Sequence, residues 1–188
     1  MFEPKNKKEL QDAVNLWCEN KENAIKKYGE INDWDVSTIT DMSLLFKDKE
    51  VFNDDISLWN VSNVIDMSYM FWNASAFNQE LSLWNVSNVK DMSCMFCNAT
   101  LFNQNISLWD VKNVTDMRRM FIYAKSFNQD ISQWNTSNVK DKANMFLNSN
   151  IQEEFKPQFN LFYYNSIKYK NVLSKFKKRI TKSSGFMV

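Results

Sequence analysis

Tryptophan returns every 25 residues without a slip, at Trp34, Trp59, Trp84, Trp109 and Trp134. Aspartate keeps the same period at Asp41, Asp66, Asp91, Asp116 and Asp141. Phenylalanine keeps it twice, at Phe46, Phe71, Phe96, Phe121 and Phe146 and at Phe52, Phe77, Phe102 and Phe127. A period of this length marks a repeat architecture, in which one copy cannot bury its apolar face alone and gains a core only by stacking on its neighbours. About five copies fill residues 31–150. The last is degenerate, with Thr136 where Val is usual and Lys142 where Met is usual.

Two apolar patterns succeed each other within a copy. Ile56-x-x-Trp59-x-Val61 has the spacing of a short strand entered through a bend, and Val64, Met67, Met70, Phe71 and Ala74 fall in steps of three and four that describe a helical face. Asn63 ahead of that face, with Asp66 three residues later, has the form of a helix N-terminal cap, recurring at Asn88 with Asp91 and at Asn113 with Asp116. The expectation is an α/β, right-handed solenoid with one short strand and one helical turn per course. Its tryptophans would form an internal column, and Asn53, Asn78, Asn103 and Asn128 a ladder at a corner.

The runs "FNQDISQW", "VSNVKDM" and "NMF", with the spacing Ile-x-x-Trp-x-Val, resemble the BspA-type leucine-rich-repeat family, in the 25-residue form found in mycoplasmal surface lipoproteins and in algal and giant-virus proteins. The resemblance covers about residues 31–150. It implies a leucine-rich-repeat-like fold and a role in attachment or protein recognition. The lipoprotein signal and lipobox cysteine of the surface members are missing, which points to an intracellular member, viral or protist for instance.

Residues 1–30 suit a helical N-terminal cap, because Leu10, Ala13, Val14 and Trp17 share one helical face and Gly29 is placed to end a second short helix. Residues 151–188 suit a C-terminal cap and basic amphipathic tail, with Ile167, Val172, Leu173, Phe176 and Ile180 as its apolar residues. Charge is split between these parts. From residue 155 onward there are eight basic residues and no acidic one, whereas residues 1–154 hold 15 basic and 22 acidic. There is no apolar segment of the length that a secretory signal or a membrane span requires, so the expected localisation is intracellular, with surface exposure left open.

Catalytic chemistry finds little purchase. Histidine is absent, which removes the usual general base, nucleophile activator and zinc ligand, and two glycines cannot build a phosphate loop. Cys18, Cys94 and Cys97 make no disulfide framework. Cys94 and Cys97 stand in the columns of Tyr69 and Trp72 one course earlier and of Arg119 and Ile122 one course later. With no second pair and no histidine to complete four ligands, they read as ordinary helix-face residues. No catalytic residue, metal, cofactor or small-molecule substrate is therefore expected.

What remains is recognition. Columns that stay constant build the stack, and columns that vary or turn outward are left for a partner. On the strand face these are Leu58, Leu83 and Leu108, an exposed apolar ridge, with Asn60, Asn85 and Asp110 beside it. On the helical side they are Tyr69, Trp72, Arg118, Arg119 and Tyr123, which combine aromatic and arginine character. The expected function is a non-catalytic scaffold that binds a protein along its repeat surface, with no particular oligomeric state implied. The alternative is a peripheral tether to anionic membrane or nucleic acid through Lys175, Lys177, Lys178 and Arg179.

Overall fold

Asn6 starts the first helix of the structure, a computed structural model that describes residues 1–159. Its side-chain oxygen accepts the Glu9 N–H at 3.0 Å, and α1 runs over Lys7–Glu19 with Leu10, Ala13, Val14 and Trp17 buried. Asn20 caps α2, Lys21–Tyr28, in the same way, accepting the Asn23 N–H. Gly29 ends it at φ 75°, a conformation that side-chain-bearing residues resist, and its N–H closes on the Ile25 carbonyl. α1 lies against the first course through polar anchors. Lys7 reaches Asp41 and Ser43, Gln11 Nε2 donates to the Leu45 carbonyl at 2.9 Å, and Trp17 Nε1 donates to Asp54 Oδ2 at 2.9 Å. The Trp17 and Trp34 rings meet edge to face at 5.8 Å.

From Trp34 onward the chain stacks equal courses, and the backbone shows how. In the first course the N–H groups of Met42, Leu44, Phe46 and Asp48 donate to the carbonyls of Asp66, Ser68, Met70 and Trp72 in the next. The residues between them, Leu45, Lys47 and Lys49, donate three residues back, to Met42, Leu44 and Phe46. Each course therefore contains a ribbon of consecutive β-turns whose alternate amides face the neighbouring course. This geometry needs left-handed residues at two positions in each ribbon. One file is Leu44, Tyr69, Cys94, Arg119 and Asn144, the other Asp48, Asn73, Asn98, Tyr123 and Asn148, all with φ between 54° and 65°. Such a conformation costs a non-glycine residue about 1–2 kcal/mol. From Leu44 to Tyr123 it is held by the hydrogen bond that each of these residues' N–H makes to the course beyond, as Tyr69 does to Ser93 and Asn73 to Cys97.

The expected α/β class is corrected here. Among the described residues there are two α-helices, two three-residue 3-10 turns and no strand, so the right-handed leucine-rich-repeat-like solenoid with a strand and a helical turn per course is not formed. Parallel pairing shrinks to one residue per course, Asp41 with Asp66, then Asp91, Asp116 and Asp141. The chain bends on both sides of that residue. The Val64 N–H closes a turn on Val61, and Asp66 Oδ1 accepts the Ser68 N–H at 2.8 Å. The same Asx bend follows Asp91 and Asp116, so these aspartates hold turns and cap no helix. Asn63, Asn88 and Asn113 instead donate to the preceding course, at the carbonyls of Ser37, Ser62 and Ser87. Ile56 and Trp59 likewise lie on a turn, the Trp59 N–H donating to Ile56. The expected C-terminal helical cap and tail fall largely outside the described residues. Before them, Ile151 to Gln158 lie along the last courses, with the Ile131 N–H donating to Phe155 and Thr136 Oγ1 to the Gln158 carbonyl.

The periodic tryptophans, and the phenylalanines from Phe46 to Phe127, are interior. Trp34, Trp59, Trp84, Trp109 and Trp134 are each at most 4% exposed. From Trp59 to Trp134 each indole N–H donates to a carbonyl of the course before, at Ile31, Ile56, Leu81 and Ile106, over 2.8–3.2 Å. Phe46, Phe71, Phe96, Phe121 and Phe146 form a continuous stack with centroids 5.3–5.8 Å apart. Phe52, Phe77, Phe102 and Phe127 form a second file, and the two join within a course at about 4 Å, as at Phe71–Phe77. Each offset pair contributes about 0.5–1.5 kcal/mol beyond area burial. The asparagine ladder is present, Asn53, Asn78 and Asn103 Oδ1 each accepting the backbone N–H of the next asparagine in the file at 2.8–2.9 Å.

Two substitutions test this account by urea unfolding. Asn103→Ala strands the Asn128 N–H and is expected to cost about 1–3 kcal/mol, whereas Asn105→Ala, at an exposed bend, costs about 0.5 kcal/mol or less. Tyr123→Val places a branched residue at φ 59° and should lose about 1–2 kcal/mol, while Tyr123→Gly stays within about 0.5 kcal/mol of the parent.

Candidate functional site

The turn ribbons place side chains three residues apart on the same outer face, so each course adds a pair to two parallel files. Leu44, Tyr69, Cys94, Arg119 and Asn144 make the first, and Lys47, Trp72, Cys97, Ile122 and Leu147 the second. Between them runs a furrow of about 730 Å³, mostly apolar, to which Ser68 also contributes. The furrow deepens at its centre because Cys94 and Cys97 replace the bulk that Tyr69 and Trp72 supply one course earlier. The Tyr69 and Trp72 rings lie 5.5 Å apart at one side of this gap, and Lys47 Nζ sits 4.5 Å over Trp72. Arg119, exposed, enters from the other side.

Cys94 is 3% exposed and Cys97 half-buried. The Cys97 N–H donates to the Cys94 carbonyl at 3.1 Å, so the two thiols span one turn. The Cys97 thiol also hydrogen-bonds Cys94. With a hydrogen bond from Tyr69 and the charges of Arg119 and Arg118, it outweighs burial and pushes the Cys94 thiol down to about 7. The reciprocal hydrogen bond, burial and the Cys94 charge push Cys97 up. The Cys94 charge, burial and their hydrogen bond do the same to the Tyr69 phenol. Cys18, by contrast, is driven up to about 11, chiefly by burial.

Of the residues singled out by sequence, Tyr69, Trp72 and Arg119 come together in this furrow, on turns and not on a helix. Arg118 and Tyr123 lie in the adjacent files. Arg118 is engaged with Asp116, Nε to Oδ2 at 3.3 Å, and Tyr123 is 44% exposed. Leu58, Leu83 and Leu108 are exposed by 67, 77 and 84%, with no strand face beneath them. Asn60, Asn85 and Asp110 are exposed too, but their Oδ1 atoms already accept the backbone N–H two residues on, and Asp110 also pairs with Lys112. Lys175, Lys177, Lys178 and Arg179 lie outside the described residues. Sequence reasoning did not name Leu44, Asn144 and Leu147, and it set Cys94, Cys97 and Ile122 in these columns without counting them as site residues. Reading columns 25 apart beside Tyr69 and Trp72 finds every one of them.

Equal courses joined by backbone hydrogen bonds and aromatic files define a repeat protein with variable outer columns. Over residues 14–121, and again over 82–183, the chain matches the family described as mycoplasma proteins of unknown function, DUF285, and it belongs to that family. The match bears out a mycoplasma-type repeat and does not extend to the BspA-type leucine-rich-repeat family. No curated protein and no solved structure matches the chain. No helix among the described residues is long and apolar enough to cross a membrane.

The outer columns should be separable from the fold. Leu108→Asp is expected to move unfolding free energy by no more than about 0.5 kcal/mol, whereas Trp109→Ala, one residue along, should cost about 3–5 kcal/mol in the same denaturation experiment.

Proposed function

We propose that this chain is a non-catalytic recognition protein that binds another protein on its outer columns, with the furrow lined by Tyr69, Trp72 and Arg119 as the principal contact and the Leu58, Leu83 and Leu108 ridge as a second. The observation that carries this reading is the division of labour among columns. Those that repeat, the Trp, Phe, Asp and ladder Asn positions, are occupied in holding courses together. Those that change from course to course converge on one apolar concavity with an arginine at its side, the composition of an interface anchor. The likeness of the repeat to BspA-type sequences, whose family is associated with attachment and recognition, supports the same reading as a likeness of sequence alone.

The alternative, attachment through the basic residues beyond 160, makes different demands. Affinity capture from cells that make the protein should compare the full chain with Trp72→Ala/Arg119→Glu, with Leu83→Asp/Leu108→Asp, and with a chain lacking residues 160–188. The recognition reading expects the furrow double variant to weaken capture at least about tenfold, equivalent to about 1.4 kcal/mol, while the shortened chain retains it. Capture that survives both surface variants, disappears with the tail and falls steeply with salt would replace recognition with tethering.

A further inference from the structure

Cys94 and Cys97 are not accounted for by stacking or by partner recognition. Their columns hold larger residues in all the other courses, and the exchange for two thiols leaves less bulk at the middle of the furrow. Three groups from three courses border one sulfur in the furrow. Cys97, the Tyr69 phenol and the Arg119 guanidinium line the furrow together with Cys94, and the arginine supplies the positive charge that imidazole supplies in many reactive-thiol sites and that a chain without histidine must find otherwise. The backbone supplies the remaining requirement. Cys94 and Cys97 are the ends of a hydrogen-bonded β-turn, whose terminal Cα atoms lie within about 7 Å, and a disulfide spans about 4.4–6.8 Å. Cys94 lies at the floor of a furrow open to solvent, where a small reagent reaches it more readily than a bulky one.

We propose that Cys94 is a peroxide-reactive thiol and Cys97 its resolving partner, forming a site of reversible covalent modification inside the furrow. The Cys94 thiolate attacks one oxygen of hydrogen peroxide. The O–O bond breaks, an S–O bond forms, and the departing hydroxide takes up the proton that Cys94 had released. The Cys97 sulfur, losing its proton, then attacks the sulfenic sulfur. The S–S bond forms, the S–O bond breaks, and the second hydroxide leaves as water with that proton. Two thiols are oxidised by two electrons and one peroxide is reduced to two waters, and a dithiol reductant reverses the change. Cys18 takes no part, being remote in sequence and held as the thiol by burial.

The test uses the full chain, reduced and then exposed to dilute hydrogen peroxide at neutral pH. The parent and Cys18→Ser chains are expected to lose the mass of two hydrogens, with peptide mapping placing the link between residues 94 and 97. Cys97→Ser should stop at a Cys94 sulfenic acid that dimedone traps. In the folded, reduced chain, iodoacetamide should label Cys94 at least about tenfold faster than Cys18, with a pH midpoint near 7, and Arg119→Gln or Tyr69→Phe should move that midpoint upward. Because Cys18→Ser leaves the turn untouched, it carries the test even if Cys97→Ser fails to fold. Equal labelling of Cys94 and Cys18, or consumption of both furrow thiols with no 94–97 link, would overturn the proposal, and neither result bears on partner binding.

Discussion

Alternate amides of each turn ribbon have no acceptor within their own course. Leu44, Tyr69, Cys94 and Arg119 each donate to a carbonyl that stands 24 residues on, so a course is complete only when the next is in place. That one constraint explains the unbroken register, since an insertion in any course would offset every donor from its carbonyl. It also explains why left-handed conformations are tolerated at residues as large as Tyr69 and Arg119. The strain is local, and the hydrogen bonds that hold it are between courses.

Side chains follow the backbone's lead. Once courses lie in register, identical residues fall over one another, and aromatic rings convert this into two phenylalanine files joined rung by rung. The indoles do two things at once, filling the interior and placing their own buried N–H on carbonyls of the preceding course that also accept a turn amide, as Leu81 does from Trp84 and Ile106 from Trp109. Two or three bends per course are set by polar side chains accepting the N–H two residues ahead, as at Asp55, Asn60 and Asp66, and these bends keep parallel pairing to a single residue.

The same geometry makes the furrow. A turn ribbon presents residues three apart side by side, and stacking extends each pair into a channel whose depth at any level is decided by two side chains. Bulk at Tyr69 and Trp72 and its absence at Cys94 and Cys97 give the channel its relief. The neighbours of Cys94 that matter chemically, Tyr69 and Arg119, are brought to it from 25 residues before and after.

The 25-residue period by itself determined that the chain stacks, which columns are buried and which face outward. Trp109 inside with Leu108 outside, and the ladder through Asn78 and Asn103, follow from register alone. Local conformation did not follow. Val64, Met67, Met70, Phe71 and Ala74 are spaced as on a helix because consecutive β-turns also return an apolar residue to the same face every three or four positions. What separates the two is where the Tyr69 and Asn73 amides find acceptors, and those carbonyls lie in another course. The reading of Cys94 and Cys97 as ordinary face residues had the same origin, since along the chain they lack ligands, and only the stack sets the Tyr69 phenol and the Arg119 guanidinium beside one of them.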